Sequence, residues 1–525
     1  MMVQKYQQPA NANGYGSMSD REPKMGLNFV RYRGRTASAS PARALTALLM
    51  ALSAVFLTAC SQFSGDSEPF GAVAGGVQTA YERTSAKADV GRRGNFGGVV
   101  LADEPRASLV GRDILERGGS AADAAVATYF ALSVTYPVAA SLGGGGVCLA
   151  FSQKQGTVEA LDFTARAAAA GGPVAVPGNV RGMALLHARQ GRLRWGELLA
   201  PAENLAATGI QISRALGARL ASAGYRDSAL AARLSGPDGQ PLAEGGWLKQ
   251  FPLAVALGQI RSRGASSLYG SSGARQFAEA VQKAGGAVTA EDMRQYRPTV
   301  AEAAVTEFGD QRLHLVSADT RAGAFAAALW QALAAEPAAG LTAERVRTIA
   351  HTVAASQSGA GDGQTDYGST SFVAVDGQAN AVACAVTMNR PFGAGRLAAD
   401  TGILLASPPN GGPATGGPVG GPVGGLVGGD AFLAPVLIVN PHTKDLYYAA
   451  AGAGGPEGAG AALQLARRVG NEGQTLAGAL AASASGAVSP VNVFACAEGL
   501  SPDGGRCALG VEPHGFGLGL EALSR

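Results

Sequence analysis

The sequence has little that would mark a metal, nucleotide or nucleic-acid binding protein. Its five histidines are scattered, and no pair of histidines or cysteines has the spacing of metal ligands. The 42 Lys and Arg residues nearly balance the 39 Asp and Glu residues, and they form no basic stripe with interleaved aromatic residues. The four glycines at 143–146 do not match a GxGxxG loop between a strand and a helix. We therefore expect no metal, no other cofactor and no nucleic-acid partner, and a small-molecule or peptide ligand instead.

Charged residues are also scarce, at 15% of the 525 residues, whereas hydrophobic residues make up 47%. This composition is too apolar for a disordered chain, and the 76 glycines lack the regular period of a collagen. The chain is long enough to bury a large core without disulfide or metal cross-links. We expect a globular body.

An uncharged apolar run covers residues 44–59 and follows a segment with four arginines and no acidic residue. It is shorter than the roughly 20 residues of a membrane-spanning helix, which favours a secretory signal peptide. The run ends in Leu57-Thr58-Ala59-Cys60, which resembles a bacterial lipobox. The resemblance implies that residues 1–59 are removed and that Cys60 carries a lipid anchor. With Ser61 next, it places the protein in the bacterial cell envelope, at the outer membrane and facing the periplasm.

Met1 and Met25 are both candidates for the true start. Residues 60–95 are polar and small, and we expect them to form a flexible tether.

An oxidising compartment would permit a disulfide between Cys496 and Cys507, which lie in a polar tail; two unpaired thiols are the alternative. Cys148 and Cys384 lie inside apolar runs.

The remaining chain, residues 96–525, shows helical patterns first and then a group of strands. Strands are predicted at 97–101, 147–152, 157–163, 369–376, 381–388, 434–440 and 446–451. Helices are predicted at 107–117, 121–135, 180–204, 253–268, 274–284, 291–296, 322–335, 341–355 and 460–469. This order indicates an α+β or layered α/β body.

Several motifs in order resemble the gamma-glutamyltranspeptidase family over about residues 96–470. They are Gly118-Gly119-Ser120-Ala121-Ala122-Asp123-Ala124-Ala125, Leu142-Gly143-Gly144-Gly145-Gly146, Val176-Pro177-Gly178, Tyr296-Arg297-Pro298, and Asn389-Arg390-Pro391-Phe392-Gly393-Ala394-Gly395 with Thr401-Gly402-Ile403-Leu404-Leu405. The resemblance implies a four-layer αββα N-terminal-nucleophile hydrolase sandwich, made as a precursor that cuts itself once. It also implies transfer or hydrolysis of a gamma-glutamyl group, typically from glutathione.

The family nucleophile is a threonine at the start of a strand, and alignment with the family places Ser369 there. Cleavage between Gly368 and Ser369 would give a large part, 96–368, and a small part, 369–525. The new α-amino group, with a pKa near 8, would then activate the serine hydroxyl as its base.

The next strand supports this assignment. If residues 377–379 form a three-residue hairpin loop, Ser369 lies opposite Thr387, with Asn389 next along the same face. The resemblance implies that Thr387 hydrogen-bonds the nucleophile and that Asn389 holds the amino end of the substrate. Taken without the family, all three are also consistent with ordinary strand residues.

The substrate pocket departs from the family pattern. Thr164 replaces the arginine that clamps the substrate carboxylate, and Arg166 lies two residues on, roughly 7 Å along an extended chain. Arg166 is therefore either a substitute clamp or a solvated surface charge. Residues 406–411 contain no acid for the substrate amine, and Ala431-Phe432 replace two serines.

Glycines remain at the family's oxyanion turn, where Gly454 and Gly455 are the candidate backbone donors. Pro456 would remove one donor if it occupied the second position.

The sequence leaves two candidate functions. One is an N-terminal-nucleophile amidohydrolase or transferase that self-cleaves before Ser369 and acts on a gamma-glutamyl or related small amide. The alternative is a catalytically silent family member that serves as an envelope lipoprotein scaffold or binding module.

Overall fold

The computed structural model describes residues 86–91, 96–222, 228–358, 367–409, 428–483 and 490–524. The predicted signal peptide, Cys60 and most of the predicted tether lie outside these residues. The strands, in chain order, are β1 Ala86–Val90, β2 Phe96–Ala102, β3 Gly145–Ser152, β4 Thr157–Asp162, β5 Arg166–Ala167, β6 Ala175–Val176, β7 Ile210–Gln211, β8 Trp247–Leu248, β9 Thr299–Glu302, β10 Ala304–Phe308, β11 Gln311–Leu315, β12 Ser369–Asp376, β13 Ala381–Thr387, β14 Arg396–Leu397, β15 Leu404–Leu405, β16 Ala434–Val439, β17 Leu446–Gly452, β18 Val491–Leu500, β19 Cys507–Val511 and β20 Leu518–Leu523.

The helices lie mainly before β12. They are α1 Pro105–Glu116, α2 Ala121–Thr135, α3 Asn179–Gln190, α4 Trp195–Thr208, α5 Arg214–Ser222, α6 Ser228–Leu234, α7 Phe251–Arg263, α8 Ser266–Tyr269, α9 Ser271–Lys283, α10 Ala290–Gln295, α11 Arg321–Ala335, α12 Ala343–Ser358, α13 Pro456–Gly470 and α14 Leu476–Ser483, with 3₁₀ turns at Ala338–Gly340 and Gly429–Phe432. None of the helices in the described ranges is long and apolar enough to cross a bilayer.

Two antiparallel seven-stranded sheets form the centre of the described chain. One has the order β20-β2-β12-β13-β3-β4-β9, and we call it the nucleophile sheet because β12 begins with Ser369. The other has the order β1-β19-β18-β17-β16-β11-β10, and we call it the second sheet. A core of alternate side chains from both sheets, such as Val373 and Leu437, lies between them.

Helices cover the outer face of each sheet. Phe372 and Cys384 of the nucleophile sheet pack with residues of α2, which is buried along its whole length. On the other side, Val436 and Tyr448 pack with α11, α12, α13 and α14. The side chains of each sheet point alternately to the core between the sheets and to the helices outside, so the body has four layers. The predicted αββα sandwich is confirmed.

A capping box fixes the start of α2. The Ser120 side chain accepts the backbone N–H of Asp123, and the Asp123 carboxylate accepts that of Ser120. The same carboxylate also accepts the N–H groups of Arg192 and Leu193, at 2.9 and 3.0 Å. The chain therefore turns at 191–194, and the single helix predicted over 180–204 is wrong: α3 and α4 replace it.

The two disulfides both join neighbouring strands. Cys496 and Cys507, the pair expected from the sequence, are bonded between β18 and β19. A second disulfide, which the sequence did not predict, joins Cys148 on β3 to Cys384 on β13, with a Cα–Cα distance of 4.1 Å. The predicted cleavage point at 368–369 lies between these two cysteines in the sequence, so a cut chain would remain linked through them.

Candidate active site

The β12–β13 hairpin places Ser369 opposite Thr387. Asp376 pairs with Asn380 across the three-residue loop, and Ala379 adopts a φ of 62° to close it. The odd loop length keeps Ser369 and Thr387 on one face, as the sequence predicts. Both side chains are buried, with Ser369 only 1% exposed.

Gly368 holds the peptide bond before Ser369 in a turn. Its φ is 54°, and a side chain there would collide with the carbonyl of Arg390. The Gly368 carbonyl oxygen accepts the backbone N–H of Met388 at 2.8 Å and lies 3.3 Å from Thr387 Oγ1. Two donors therefore face the carbonyl that self-cleavage would attack.

The Thr387 hydroxyl contacts the two residues that precede Ser369 rather than the Ser369 hydroxyl. Its Oγ1 lies 3.1 Å from the Tyr367 carbonyl oxygen and accepts the N–H of Asn389 at 2.8 Å. The prediction that Thr387 hydrogen-bonds the nucleophile is therefore not what this uncut chain shows, because the hydroxyl is directed to the carbonyls at 367 and 368.

The Gly454 amide supplies the hydrogen bond to the serine. Its N–H donates to Ser369 Oγ at 2.7 Å. Gly454 and Gly455 have φ values of 89° and 117°, which explains why glycines occupy both positions. Pro456 follows them as the first residue of α13, so the proline removes neither glycine N–H. The positive end of the α13 dipole lies at this turn.

Asn389 joins three segments beside the nucleophile. Its side-chain amide donates to the Ser407 carbonyl at 2.8 Å, and its Oδ1 accepts the N–H of Asp430 at 3.0 Å. The φ of Asn389 is 65°, a conformation that asparagine tolerates better than most residues. Asn389 therefore fixes Asp430 near the scissile peptide.

Asp430 brings a carboxylate to the site that the sequence analysis missed. Arg321, the first residue of α11, approaches its two oxygens at 3.3 and 3.2 Å and also lies 3.3 Å from the Pro409 carbonyl oxygen. Burial raises the pKa of Asp430 to about 7, and the Asp162 carboxylate adds to the rise, while Arg321 opposes it. No periodicity in the Gly- and Pro-rich stretch before Asp430 indicates this placement.

Replacing Asp430 with asparagine should change how stability depends on pH. A carboxyl whose pKa is higher in the folded than in the unfolded chain binds protons more tightly when folded, so stability falls as pH rises from about 4 to about 7. The amide side chain of the variant would not titrate. Between pH 5 and pH 8 we therefore expect the free energy of unfolding of the D430N variant to gain roughly 2 kcal/mol relative to wild type, measured by urea denaturation.

A matched control for this measurement is the E302Q variant, since Glu302 is exposed on β9. Its free energy of unfolding should follow that of wild type at both pH values. A D430N difference that is the same at pH 5 and pH 8 would contradict the assignment of this titration to Asp430.

A second buried carboxylate lies behind the nucleophile. Asp103 follows β2, and its Oδ2 accepts the Thr370 hydroxyl at 2.7 Å and the Ser371 N–H at 2.9 Å. Its Oδ1 accepts the side-chain amide of Asn492 at 2.7 Å. Burial raises the pKa of Asp103, while hydrogen bonds from the three partners and the charge of Arg219 lower it.

Arg166 lies on the surface, on the two-residue strand β5. Its guanidinium donates to the Arg297 carbonyl at 2.9 Å and lies 4.9 Å from the centre of the Tyr296 ring. Thr164, at the clamp position of the family, donates its hydroxyl to Asp162. These contacts support the surface-charge interpretation of Arg166 over the clamp.

The structure thus brings together four of the predicted site residues, namely Ser369, Thr387, Asn389 and Gly454, with Gly455 adjoining them. The sequence analysis missed Asp103, Asp430, Arg321 and Asn492. An acidic residue just beyond the strand predicted at 97–101 is a signal that could have singled out Asp103. No group of three or more metal-ligating side chains occurs in the described part of the chain.

Two packed antiparallel sheets between helix layers, with a buried hydroxyl residue at the first position of a central strand, define an N-terminal-nucleophile hydrolase architecture. Residues 107–336 match the gamma-glutamyltranspeptidase family model. The chain is 32% identical over 259 residues to the glutathione hydrolase proenzyme of Bacillus subtilis (strain 168), covering 45% of this chain and 43% of the relative.

It is also 34% identical over 224 residues to the glutathione hydrolase proenzyme of Escherichia coli (strain K12), covering 38% of each chain. The chain thus spans about two fifths of the length of these relatives. The crystal structure of a cephalosporin acylase from Bacillus halodurans superposes with a TM-score of 0.63 at 19% identity, covering 87% of this chain and 99% of that chain. This likeness shows a shared fold.

Proposed function

We propose that this protein cuts itself between Gly368 and Ser369 and then acts as a gamma-glutamyltranspeptidase-like amidohydrolase or transferase. The observation that carries the proposal is the arrangement of the uncut site. Ser369 Oγ lies against the Gly454 N–H at 2.7 Å, while the Gly368 carbonyl oxygen receives the Met388 N–H at 2.8 Å. A nucleophile and donors to the carbonyl that it would attack are thus neighbours in one buried site.

Self-cleavage would proceed by an acyl shift. Ser369 Oγ attacks the Gly368 carbonyl carbon, and the Met388 N–H and Thr387 hydroxyl stabilise the negative charge that develops on the carbonyl oxygen. The bond from this carbon to the Ser369 nitrogen then breaks, and the hydroxyl proton ends on that nitrogen. Water hydrolyses the resulting ester and leaves a free carboxylate on Gly368 and a free amine on Ser369.

The cut enzyme would use the same serine on a substrate amide. The new α-amino group accepts the hydroxyl proton as Oγ attacks the substrate carbonyl, and it returns the proton to the leaving amine. Gly454 and Gly455, at the N-terminus of α13, would provide backbone donors for the oxyanion. Water or an acceptor amine then releases the acyl group from Ser369.

A gamma-glutamyl or related small amide fits the charges near Asn389. The Asp430 carboxylate can accept hydrogen bonds from the ammonium group of a substrate. The neighbouring Arg321 guanidinium can donate to the carboxylate of a substrate. The names of the glutathione hydrolase relatives support the same substrate class. Arg166 does not enter this proposal, because its contacts are with Tyr296 and Arg297.

We place the protein in the bacterial envelope, lipid-anchored through Cys60 and facing the periplasm. Two disulfides are consistent with an oxidising compartment. The lipobox-like sequence before Cys60 supports the anchor.

Intact mass spectrometry of the purified, reduced and denatured protein tests the proposal. We expect two fragments, the smaller beginning at Ser369, and a lipid-modified Cys60 at the start of the larger one. A single uncut chain that stays uncut on long incubation would contradict self-cleavage and would support the silent scaffold instead.

A further inference from the structure

We infer that Asp103 is a positioning residue that holds the Ser369 nucleophile against the Gly454 amide, an inference that rests on the proposed function. Asp103 touches neither of these groups. It acts through the residues that follow Ser369 and through a strand of the second sheet.

Asp103 first fixes the nucleophile strand. Its Oδ2 accepts both the hydroxyl of Thr370 and the N–H of Ser371, the two residues directly after the nucleophile. Thr370 is fully buried and Asp103 only 8% exposed, so water does not compete for these hydrogen bonds. The Asp103 carboxylate therefore fixes the backbone directly after Ser369, and with it the orientation of Ser369.

The same carboxylate reaches the second sheet. Its Oδ1 accepts the amide of Asn492, on β18, and that amide also donates to the Ser371 carbonyl oxygen at 3.0 Å and lies 2.9 Å from Ser371 Oγ. Packed sheets are about 10 Å apart, so a direct polar connection between them is restricted to such side-chain bridges. Asp103 and Asn492 thereby set how β18 sits against β12.

The strand β18 in turn positions the oxyanion turn. Pro490, two residues before Asn492, accepts the N–H of Ala453 at 3.0 Å. Its ring packs against Gly454, since a Cβ there would lie 2.8 Å from Pro490 Cδ. The Gly454 N–H then donates to Ser369 Oγ. A continuous series of contacts therefore leads from the nucleophile strand through Asp103 and β18 to Gly454, and from Gly454 back to Ser369.

The neighbouring Glu104 offers a matched control. It is also a fully buried carboxylate, but its Oε2 accepts the N–H of Ala107 and caps α1. Replacing either acid with its amide removes one buried carboxylate from the same chain segment. Only the change at Asp103 alters the bridge between Ser371 and Asn492.

The test compares the D103N and E104Q variants with wild type. An asparagine has one acceptor oxygen for three donors, and its own NH₂ group would face a donor. We expect D103N to slow self-cleavage by about 10²-fold and to lower kcat by a similar factor with KM almost unchanged, because misplacement of the reacting atoms costs rate rather than binding. E104Q should lower the melting temperature and leave both rates within about twofold of wild type.

A second readout does not depend on activity. In samples matched for the extent of cleavage, hydrogen exchange at the Gly454 and Ser371 amides should be faster in D103N than in wild type and unchanged in E104Q. If wild type neither self-cleaves nor hydrolyses gamma-glutamyl-p-nitroanilide, the proposed function fails, and the exchange data alone decide the positioning role. Should D103N not fold, the T370V variant, which removes one donor to Asp103, takes its place with the same expectations. Equal rates in D103N and wild type, equal slowing in E104Q, or unchanged exchange at Gly454 would each overturn the inference.

Discussion

The S369A variant is expected to remain a single uncut chain and to show no amidase activity. Alanine removes the only atom that can attack the Gly368 carbonyl in the proposed acyl shift, and without the shift no free α-amine forms at position 369. Both self-cleavage and turnover should therefore fall below detection. Reduced and denatured samples analysed by intact mass over several days provide the measurement, with turnover of gamma-glutamyl-p-nitroanilide measured in parallel.

The S369T variant is the matched control, since it keeps the hydroxyl and adds a methyl group that restricts the side-chain rotamer. It should still cut itself before residue 369. Fold integrity of S369A can be checked by its melting temperature, which should lie close to that of wild type because the change is small. Cleavage of S369A at the wild-type rate would show that another residue is the nucleophile.

The second large effect concerns the disulfide between Cys148 and Cys384. In the uncut chain it closes a loop with a sequence separation of 236, against 11 for Cys496 and Cys507. The chain-entropy model gives about 5 kcal/mol for the long loop and about 3 kcal/mol for the short one. In the S369A background, which stays uncut, the C148A/C384A double variant should therefore lose more unfolding free energy than C496A/C507A.

After cleavage the same disulfide has a different consequence, because Cys148 belongs to the large part and Cys384 to the small part. Wild-type protein should run as one band on a denaturing gel without reductant and as two bands with it. The C148A/C384A variant should give two bands in both conditions, whereas C496A/C507A should behave as wild type does. A wild-type sample that separates without reductant would show that the two cysteines are not bonded in the mature protein.

Much of the nucleophile strand was predictable from local sequence. The strands predicted at 369–376 and 381–388 correspond to β12, with the same bounds, and to β13, which ends one residue earlier. The pairing of Ser369 with Thr387 followed from the length of one loop, because side chains alternate along each strand. The helix predicted at 121–135 has the same bounds as α2, which Ser120 caps.

The second sheet was harder to predict. Its strands β1, β10, β11, β18 and β19 were not predicted, and β1 lies in the stretch that was predicted to be a flexible tether. β10 carries mostly exposed residues, so it lacks the apolar face of a half-buried strand, and β18 and β19 lie beyond the region covered by the family motifs. Their place in the fold depends on pairing with strands that are distant in the chain.

The sequence by itself therefore determined the nucleophile strand and its hairpin register, because both depend on residues that are close in the chain, whereas the glycine turn followed from the family resemblance. Only the tertiary structure decided which distant groups surround them. Asp103 with Asn492, Asp430 with Arg321 and Cys148 with Cys384 are each separated by more than 100 residues along the chain. The physical reason is that burial in a four-layer body selects these partners by their position in space, and a single sequence carries no local signal for that position.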